Sequence, residues 1–429
     1  MIERLFGVAQ SGSDIRREVL AGITTFLAMA YITVVNPSIL SQAGMDFGAV
    51  FVATCIAAAT GSMLMGLLAN YPIAQAPGMG QNAFFTFAVV LGGGHSWQTA
   101  LGAVFISGVL FVVLSVLPFR EWLINAIPRN LKLGMAAGIG LFLGFIALQN
   151  AGVVVDNPAT LAGIGDLTAF APAMCLVGFV LITALQSRGV TGAVVIGIIV
   201  VSMIGWFTGQ VAFKGIVSAP PSIAPVLLEL DIAGAFQWSM VTVILSFLIV
   251  DVFDTAGTLV GVATRAGLVD EHHRLPRLRT ALLADSGATV VGALAGTSST
   301  TSYIESAAGV EAGGRTGLTA IVCGVLFLLC LLLAPLAQSI PAYATASALL
   351  FVACLMARSL ADLDWTDVGE SAPAVIAALA MPLTFSIADG IGIGFISYAA
   401  IKVLSGRAFQ CAPVVYVIAL IFAGKYVFL

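Results

Sequence analysis

The stretch GTSSTTSYIESAAGVEAGG, residues Gly296 to Gly314, lies between long apolar runs and decides how the rest of the chain is interpreted. It holds six consecutive Ser and Thr residues (297–302), followed by Tyr303 and Glu305. An ionisable side chain at membrane depth is costly and by default marks a functional site. A Gly/Ser/Thr-rich entry before a short helix favours a half-helix whose free N–H groups face a ligand. The alternative is a polar loop at the membrane surface.

The composition of the whole chain indicates a membrane protein. Of its 429 residues, 60% are hydrophobic and only 9% are charged, whereas soluble domains carry about 25% charged residues. Apolar runs of about 20 residues, long enough to cross a bilayer as a helix, recur from end to end. Because a spanning segment must satisfy its own backbone hydrogen bonds, we expect an all-α polytopic membrane protein.

The apolar runs predict about fourteen transmembrane helices. The predicted spans are 19–40, 47–69, 78–94, 98–117, 132–150, 169–187, 191–209, 237–260, 280–296, 300–312, 316–338, 344–360, 371–388 and 390–406. A last apolar run at 411–428 leaves one segment too many. It is a fifteenth span, an interfacial helix, or a sign that two shorter runs before it form one broken pass.

Basic residues predict the orientation, because Lys and Arg concentrate in cytoplasmic loops. If the spans alternate, these residues fall on one side and put the N-terminus in the cytoplasm. They are Arg16, Arg17, Arg120, Arg129, Lys132, Arg188, Arg265, Arg274, Arg277, Arg279, Lys402 and Arg407. The acidic stretch from Asp362 to Glu370 conflicts with this scheme, because it falls on the same side.

The chain contains signs of an internal duplication. GVLFVVL at Gly108 is similar to GVLFLLC at Gly324, and Ala-Pro-Ala occurs around both Pro172 and Pro373. Seven spans per half is an odd number, so the two halves would have opposite topology. Inverted repeats of this kind are typical of transporters, whose site lies at mid-membrane where the repeats meet.

A second polar segment occupies the equivalent position in the first half. The sequence QAPGMGQN, from Gln75 to Asn82, opens the third span with a proline and two glycines, which argue against a regular helix. Irregular backbone at membrane depth is tolerated where it lines a cavity or is covered by protein. Two broken segments at corresponding positions indicate a transport site. A plain loop is the alternative.

The eighth span carries two carboxylates in the sequence DVFDTAGTL, together with Thr258. Asp251 and Asp254 are three residues apart and share one face of an unbroken helix. Two carboxylates this close in a low dielectric do not both ionise easily, which is how a site holds a proton near neutral pH. Asp254 is the stronger candidate for a site residue, and a capping or packing role is equally open for Asp251.

Several other polar residues have ordinary explanations. Tyr31 and Asn36 end the first span either at a kinked helix end or as part of a ligand site. Glu311 and Arg315 are expected to pair near the surface, and Asp389 is expected to cap a helix.

Asp285 and three histidines receive no functional role from the sequence. Asp285 lies in the ninth span, where its side chain could face the core. His95, His272 and His273 fall in loops and are expected to be solvated. We therefore expect no metal site and no cofactor.

Five motifs resemble those of a known family. They are TTFLAMAYITVVNP (24–37), APGMGQNAFF (76–85), FDTAGTL (253–259), TSYIESAAGVEAGGRTG (301–317) and ADGIGIGFISY (388–398). Over nearly its whole length the chain is similar to the azaguanine-type adenine/guanine/hypoxanthine permeases, a branch of the nucleobase symporters with a uracil permease-like fold. The resemblance implies fourteen spans in two inverted seven-helix repeats, with short strands before spans 3 and 10 that meet at the site.

The same resemblance implies two domains and a location. Spans 1–4 and 8–11 would form a core domain from residues 1–117 and 211–340. Spans 5–7 and 12–14 would form a gate domain from residues 118–210 and 341–429. The family implies a multi-pass protein of the bacterial inner membrane.

Residue by residue, the acidic site groups of the family fall on Asp254 in span 8 and Glu305 in span 10. The backbone of Tyr303 and Ile304 would face the substrate, and Asn82 matches the asparagine of the span 3 motif. Gln81 departs from the pattern, because an apolar residue is expected there.

These residues suggest how a purine base would be bound. We hypothesise that Glu305 binds the base directly and that Asp254 binds it or carries the coupling proton, with Glu305 the second candidate for the proton. Phe84 or Phe85 could stack on the ring, and Thr258 lies one turn beyond Asp254. The expected mechanism is proton symport with alternating access.

Two rival functions differ in their site chemistry. An anion transporter of the same fold would need a cationic or donor-only site, and two acidic residues argue against it. A membrane-embedded prenyltransferase-like enzyme would need Asp-rich motifs with Mg²⁺, of which Asp251-x-x-Asp254 is the single hint.

The expected partners are a purine nucleobase, the coupling proton and membrane lipid, with no nucleic acid. A homodimer is compatible with the sequence, which does not determine oligomeric state. The sequence also does not decide which base is preferred or whether H⁺ or Na⁺ is coupled.

Overall fold

The computed structural model describes residues 2–117, 127–269 and 275–428. Arg120, Arg274 and two of the histidines expected in loops, His272 and His273, lie outside these residues. Within them, ten helices are long and apolar enough to cross a membrane, and four shorter apolar helices accompany them. The expectation of a helical polytopic membrane protein is therefore confirmed, whereas the count of fourteen spans stays a prediction.

We number the apolar helices in chain order and include the short helix that follows the Ser/Thr run 297–302. They are α1 (Ile15–Ala43), α2 (Phe47–Ala69), α3 (Met79–Gly92), α4 (Trp97–Val116), α5 (Arg129–Asn150), α6 (Phe170–Ser187), α7 (Ala193–Phe207), α8 (Trp238–Arg265), α9 (Leu278–Ala295), α10 (Ser306–Glu311), α11 (Gly317–Ala337), α12 (Ala342–Asp362), α13 (Val368–Thr384), α14 (Ile387–Leu404) and α15 (Pro413–Phe428). Two further short helices cover Ile2–Phe6 and Ile232–Ala235.

Two pairs of short strands accompany the helices. β1 (Gln75–Pro77) pairs antiparallel with β4 (Thr300–Ser302), and β2 (Val154–Asn157) pairs with β3 (Leu161–Ile164) in the loop after α5. Every residue of β1 and β4 is buried, as extended backbone at membrane depth must be. The run 300–312, interpreted from the sequence as a broken segment that contains a half-helix, is thus a three-residue strand followed by a six-residue helix.

Of the described helices α1–α15, fourteen pack in two groups, and α3 contacts both. One contains α1, α2, α4, α8, α9, α10 and α11, and the other contains α5–α7 and α12–α15. In the first group α4 packs on α8 and α9, while α11 packs on α1 and α2. Gly108 on α4 lies against Thr289 of α9, and Gly324 on α11 lies against the Ala59 carbonyl of α2; a Cβ added to either glycine would come within 2.9 Å of its neighbour. The repeated GVLF sequences therefore mark two matching helix crossings.

The acidic stretch that follows α12 pairs with basic residues at the end of α14. Arg407 donates to Asp367 at 2.5 Å, and Lys402 contacts Glu370 at 2.5 Å with a side chain only 5% exposed. The Asp367 carboxylate also accepts from the Gly369 N–H, which together with Arg407 holds its pKa below the usual value. Ion pairing with Lys402 and Arg407 therefore explains why this acidic stretch lies on the same side as the basic residues.

The last apolar run forms a separate helix, α15, that runs antiparallel to α14. Lys425 in its last turn bonds the Asp389 carboxylate at 2.7 Å, and the Tyr426 hydroxyl donates to the same oxygen at 2.9 Å. The cap of α14 is Ser386, whose hydroxyl accepts from the Asp389 N–H at 3.1 Å. The prediction that Asp389 caps the helix is therefore wrong, because its carboxylate holds α15 against α14.

Candidate substrate-binding site

Helix α8 carries Asp254 on an accessible face. The helix is unbroken, and exposed residues recur on this face at successive turns: Asp254, Gly257, Val260 and Thr264. In the other direction along the same face, Phe247 and Val250 are buried. An accessible surface, which we call the cavity, therefore extends from Asp254 to the C-terminal end of α8, and the same face is buried towards the N-terminal end.

Glu305 reaches the same cavity from the second broken segment. After β4 the chain turns through Tyr303 and Ile304, and Glu305 directly precedes α10. The Ile304 side chain is 52% exposed and lies across from Gly261 of α8, where an added Cβ would be 3.8 Å from Ile304 Cδ1. The carboxylates of Glu305 and Asp254 are close enough for their charges to interact. The structure thus brings together the two acidic residues singled out by the sequence.

Tyr31 orients Glu305 from the first helix. The regular turns of α1 are interrupted at Ala30 and Tyr31, which lets the buried tyrosine hydroxyl donate to Glu305 Oε1 at 2.6 Å. Asn36, a few residues later, is fully buried and donates to the hydroxyls of Thr54 and Thr297. Of the two residues left open at the end of the first span, Tyr31 therefore belongs to the site and Asn36 to its frame.

Two predicted site residues on α3 lie behind the wall of the cavity. Asn82 is fully buried, and its Oδ1 accepts from the Ser298 hydroxyl. Phe84 is 2% exposed and packs edge-on against Phe247, with ring centroids 4.9 Å apart. In this conformation neither side chain is open to a ligand.

Of the three remaining predicted site residues, two are buried and one is open to the cavity. The Tyr303 N–H donates to the Ala74 carbonyl at 3.0 Å, and its hydroxyl donates to the Pro77 carbonyl at 2.6 Å, so this residue joins β4 to β1. Thr258 is buried on α8 at 7% exposure. Ile304 alone of these three is open to the cavity.

A buried hydrogen-bond network that the sequence analysis missed lies behind the cavity. Asp285 of α9 is fully buried and accepts from the amide of Gln75 at 2.8 Å, the hydroxyl of Ser302 at 2.7 Å and the hydroxyl of Thr255 at 2.6 Å. It therefore joins β1, β4, α8 and α9. The signal available in the sequence was a lone aspartate in an apolar run, which at membrane depth indicates a role.

Asp251 belongs to the same layer, unlike its neighbour Asp254. Its carboxylate contacts the Gln81 amide at 3.2 Å and the Thr289 hydroxyl at 3.0 Å, and it has no exposed surface. The departure of Gln81 from the apolar residue expected there is explained, because this amide serves a buried carboxylate. The two aspartates of α8 thus have different surroundings.

The sequence matches known proteins along almost all of its length. A family model described as a permease family (Xan_ur_permease) matches residues 16–393. This chain belongs to the permease family. The permease is 49% identical over 429 residues to adenine permease AdeP of Escherichia coli K12, with 100% of this chain and 96% of AdeP covered. It is 45% identical over 426 residues to guanine/hypoxanthine permease PbuO of Bacillus subtilis 168, with 97% and 98% covered.

These relatives confirm the resemblance to nucleobase permeases that the five motifs indicated. The permease is a multi-pass membrane transporter and not an enzyme, which removes the prenyltransferase-like alternative. The transmembrane domain of a cyanobacterium bicarbonate transporter, BicA, matches it with a TM-score of 0.66 at 13% identity, covering 87% of this chain and 97% of that domain. At this identity the match shows a shared fold and carries no statement about the substrate.

An ion pair joins α8 and α10 at the end of the permease's cavity. Arg265 pairs with Glu311 at 3.1 Å, and both side chains are exposed. Arg315 instead donates through its guanidinium to the carbonyls of Val310 and Gly314 at 2.7 and 2.8 Å. The predicted pairing of Glu311 with Arg315 is therefore wrong, because a partner from another helix lies closer.

A polar cleft lies at the opposite end of the helices, apart from the two carboxylates. It has a volume of about 630 Å³ and is lined by Ser38, Gln42, Asp46, Asn150, Lys214 and Gln338, among others. Asn150 ends α5 of the second helix group, whereas Ser38 belongs to α1 of the first, so the cleft lies between the groups. Among the described residues of the permease, no cluster of three or more His, Cys, Asp or Glu is arranged to hold a metal ion.

Proposed function

We propose that the permease is a secondary active transporter that imports purine nucleobases by proton symport and alternating access. One observation carries the proposal. Asp254 and Glu305 meet in a single cavity beside the two strand-interrupted segments, in a chain whose full-length relatives are named adenine permease and guanine/hypoxanthine permease.

The chemistry of the cavity suits a purine base. Such a base is flat and neutral, with N–H donors and ring-nitrogen acceptors around its edge. Asp254 and Glu305 can accept from the N–H groups. The Ile304 N–H has no backbone acceptor within the described ranges (2–117, 127–269, 275–428), so it is available to a ring nitrogen. Leaving such a group unpaired in a buried site costs about 1–3 kcal/mol, enough to discriminate between bases.

Alternating access would come from motion of a core domain (1–117 and 211–340) against a gate domain (118–210 and 341–429). The two packing groups of helices support this division, and the matching crossings at Gly108 and Gly324 support two inverted seven-helix repeats. The cavity opens towards Arg265, on the side where basic residues predict the cytoplasm, so the conformation is inward-facing. The polar cleft between the groups at the opposite end would then be the closed outer entrance.

Orientation and location follow from the same reasoning. The N-terminus would be cytoplasmic, and the protein would reside in a bacterial inner membrane with lipid around both helix groups. The anion-transporter alternative rests on fold alone, and two carboxylates at the site would repel an anion.

The test is uptake of radiolabelled adenine and hypoxanthine by the purified protein in proteoliposomes with an inward proton gradient. We expect concentrative uptake by the wild type and its loss in Asp254→Asn and in Glu305→Gln. The matched control is Glu311→Gln, an exposed glutamate six positions after Glu305, which should transport like the wild type. Uptake unchanged by both site substitutions, or no binding of any purine base by the wild type, would contradict the proposal.

A further inference from the structure

Two carboxylates lie in the dry layer behind the cavity. Asp251 on α8 and Asp285 on α9 are both fully buried. Within residues 2–117, 127–269 and 275–428, neither forms an ion pair with a basic side chain. The titratable groups that face Asp251 are Asp285 and, from its own helix, Asp254. Neighbouring carboxylates in a low dielectric do not both ionise readily, so the hydrogen-bond partners of each carboxylate decide which of the two carries a proton.

The contacts of Asp285 are those of an ionised carboxylate. Each of its three partners, Gln75, Ser302 and Thr255, has a hydrogen to donate to it. Thr255 can give its hydroxyl hydrogen away because it can accept one from Thr301, whose hydroxyl lies 2.9 Å from its own. Asp285 therefore needs no proton of its own to satisfy its surroundings.

The contacts of Asp251 do require a proton. Its partner Thr289 lies 3.0 Å from Asp251 Oδ2 and 2.9 Å from the Thr300 carbonyl, and it accepts from the Thr300 N–H at 3.2 Å. A carbonyl can only accept, and Thr289 has one hydroxyl hydrogen. Both oxygen contacts are satisfied together only if Asp251 Oδ2 carries a hydrogen and donates it to Thr289, which then donates to Thr300.

We propose that Asp251 holds the coupling proton of the permease, while Asp254 and Glu305 bind the purine base. This extends the proposed function and rests on it. When the Oδ2–H bond of Asp251 breaks, the proton is released to a water molecule. The Thr289 hydroxyl then turns to the carboxylate, and the Thr300 carbonyl loses its donor.

The β4 strand connects this event to the substrate. Pro77 and Thr300 face each other as a non-hydrogen-bonded pair, because the ladder bonds flank them at Gly78–Ser299 and Ala74–Tyr303. The N–H and carbonyl of Thr300 therefore point away from β1, and both contact the Thr289 hydroxyl. Three residues beyond β4 the chain reaches Glu305. A change at Thr300 therefore alters the segment that binds the base, and by linkage base binding alters the proton affinity of Asp251 to the same extent.

The test compares Asp251→Asn with the wild type in proteoliposomes that contain a pH-sensitive dye. An asparagine amide keeps a hydrogen to donate to Thr289 but cannot release it as a proton. We expect Asp251→Asn to bind adenine or hypoxanthine with wild-type affinity and to exchange labelled for unlabelled base. Base-evoked proton influx and pH-driven accumulation should both be lost.

The control is Glu18→Gln, because Glu18 is another fully buried carboxylate, but one that accepts from Thr319 and from the backbone at the start of α11. Glu18→Gln should retain base-evoked proton influx. Retention of proton influx by Asp251→Asn, loss of its base affinity, or accumulation by the wild type driven by Na⁺ without proton influx would each overturn the inference. A wild type that binds no purine would instead contradict the proposed function.

A second measurement uses the wild-type protein and does not depend on the folding of a variant. A hydrophobic carbodiimide reacts with protonated carboxyl groups in apolar surroundings, and mass spectrometry identifies the modified residue. We expect modification of Asp251 and not of Asp285, decreasing as the pH is raised. Modification of Asp285 alone, or an unmodified Asp251, would overturn the inference.

Discussion

The two strand-interrupted segments of the permease occupy matching places but differ in what they expose. After β1, the polar residues Gln81 and Asn82 are buried and bonded into the wall of the cavity. After β4, Ile304 is 52% exposed and Glu305 is half-buried, both beside Asp254. One segment supports the site and the other forms its surface.

Two segments that pair with each other through β1 and β4 therefore need not have the same role. The β1–β4 pair fixes both segments in one layer, and the residues that follow each strand decide which segment meets the substrate. In the conformation described, the polar side chains Gln81 and Asn82 of the first segment contact the buried network and not the cavity. Substitutions that affect one segment at a time test this difference between the two segments.

The largest effect is expected from Gln75→Leu in the supporting segment. It removes a buried amide donor 2.8 Å from Asp285, and an unpaired buried polar group costs about 1–3 kcal/mol, more when it is charged. We expect a lower thermal midpoint and a lower folded yield, measured by size-exclusion chromatography after heating. The control is Gln42→Leu, an exposed glutamine, which should be stable. If Gln75→Leu keeps the wild-type thermal midpoint but no longer binds the base, the first segment contacts the base directly.

A smaller and more selective effect is expected from Ile304→Trp in the contacting segment. The larger ring would occupy the cavity beside Asp254, and overfilling a site costs about 1–3 kcal/mol. Affinity for adenine or hypoxanthine should fall while the thermal midpoint stays near that of the wild type. The control Ile304→Val should bind normally. If Ile304→Trp instead lowers the midpoint and leaves affinity unchanged, this side chain is packed and not part of the site.

The smallest effect is expected from Tyr31→Phe, which removes one hydrogen bond to Glu305 and no volume from the core. The net value of such a bond is about 0.5–1.5 kcal/mol, so the dissociation constant of the base should rise roughly twofold to tenfold. Equilibrium binding of radiolabelled base measures the change. An unchanged dissociation constant would mean that Glu305 is held in place without Tyr31.

The sequence was sufficient to single out the two acidic residues that the structure brings together. Asp254 and Glu305 are ionisable residues among apolar ones, and proline, glycine and hydroxyl residues mark both broken segments, so the cost of polar groups in a membrane identifies them. Which side chains face the cavity could not be predicted. Ile304 and Phe84 are both apolar, yet Ile304 is exposed and Phe84 is buried. The difference arises because α3 packs against α8, where Phe84 contacts Phe247.

Partners from distant parts of the chain were also beyond prediction. Sequence spacing favours the pairing of Glu311 with Arg315 four residues away, yet its partner is Arg265, 46 positions distant. Asp285 is bonded to Gln75, which is 210 positions away. A hydrogen-bond network assembled from four elements leaves no periodic pattern in the sequence of any one of them.

The antiparallel pairing of β1 with β4 has a consequence for biogenesis. Gln75 and Ser302, opposite each other in the pair, are 227 positions apart. During synthesis, β1 therefore leaves the ribosome long before the strand that completes it, and such non-local pairing slows folding. The first half must therefore stay unaggregated until most of the polypeptide has been synthesised, and a chain truncated before β4 lacks both the strand partner of β1 and Glu305.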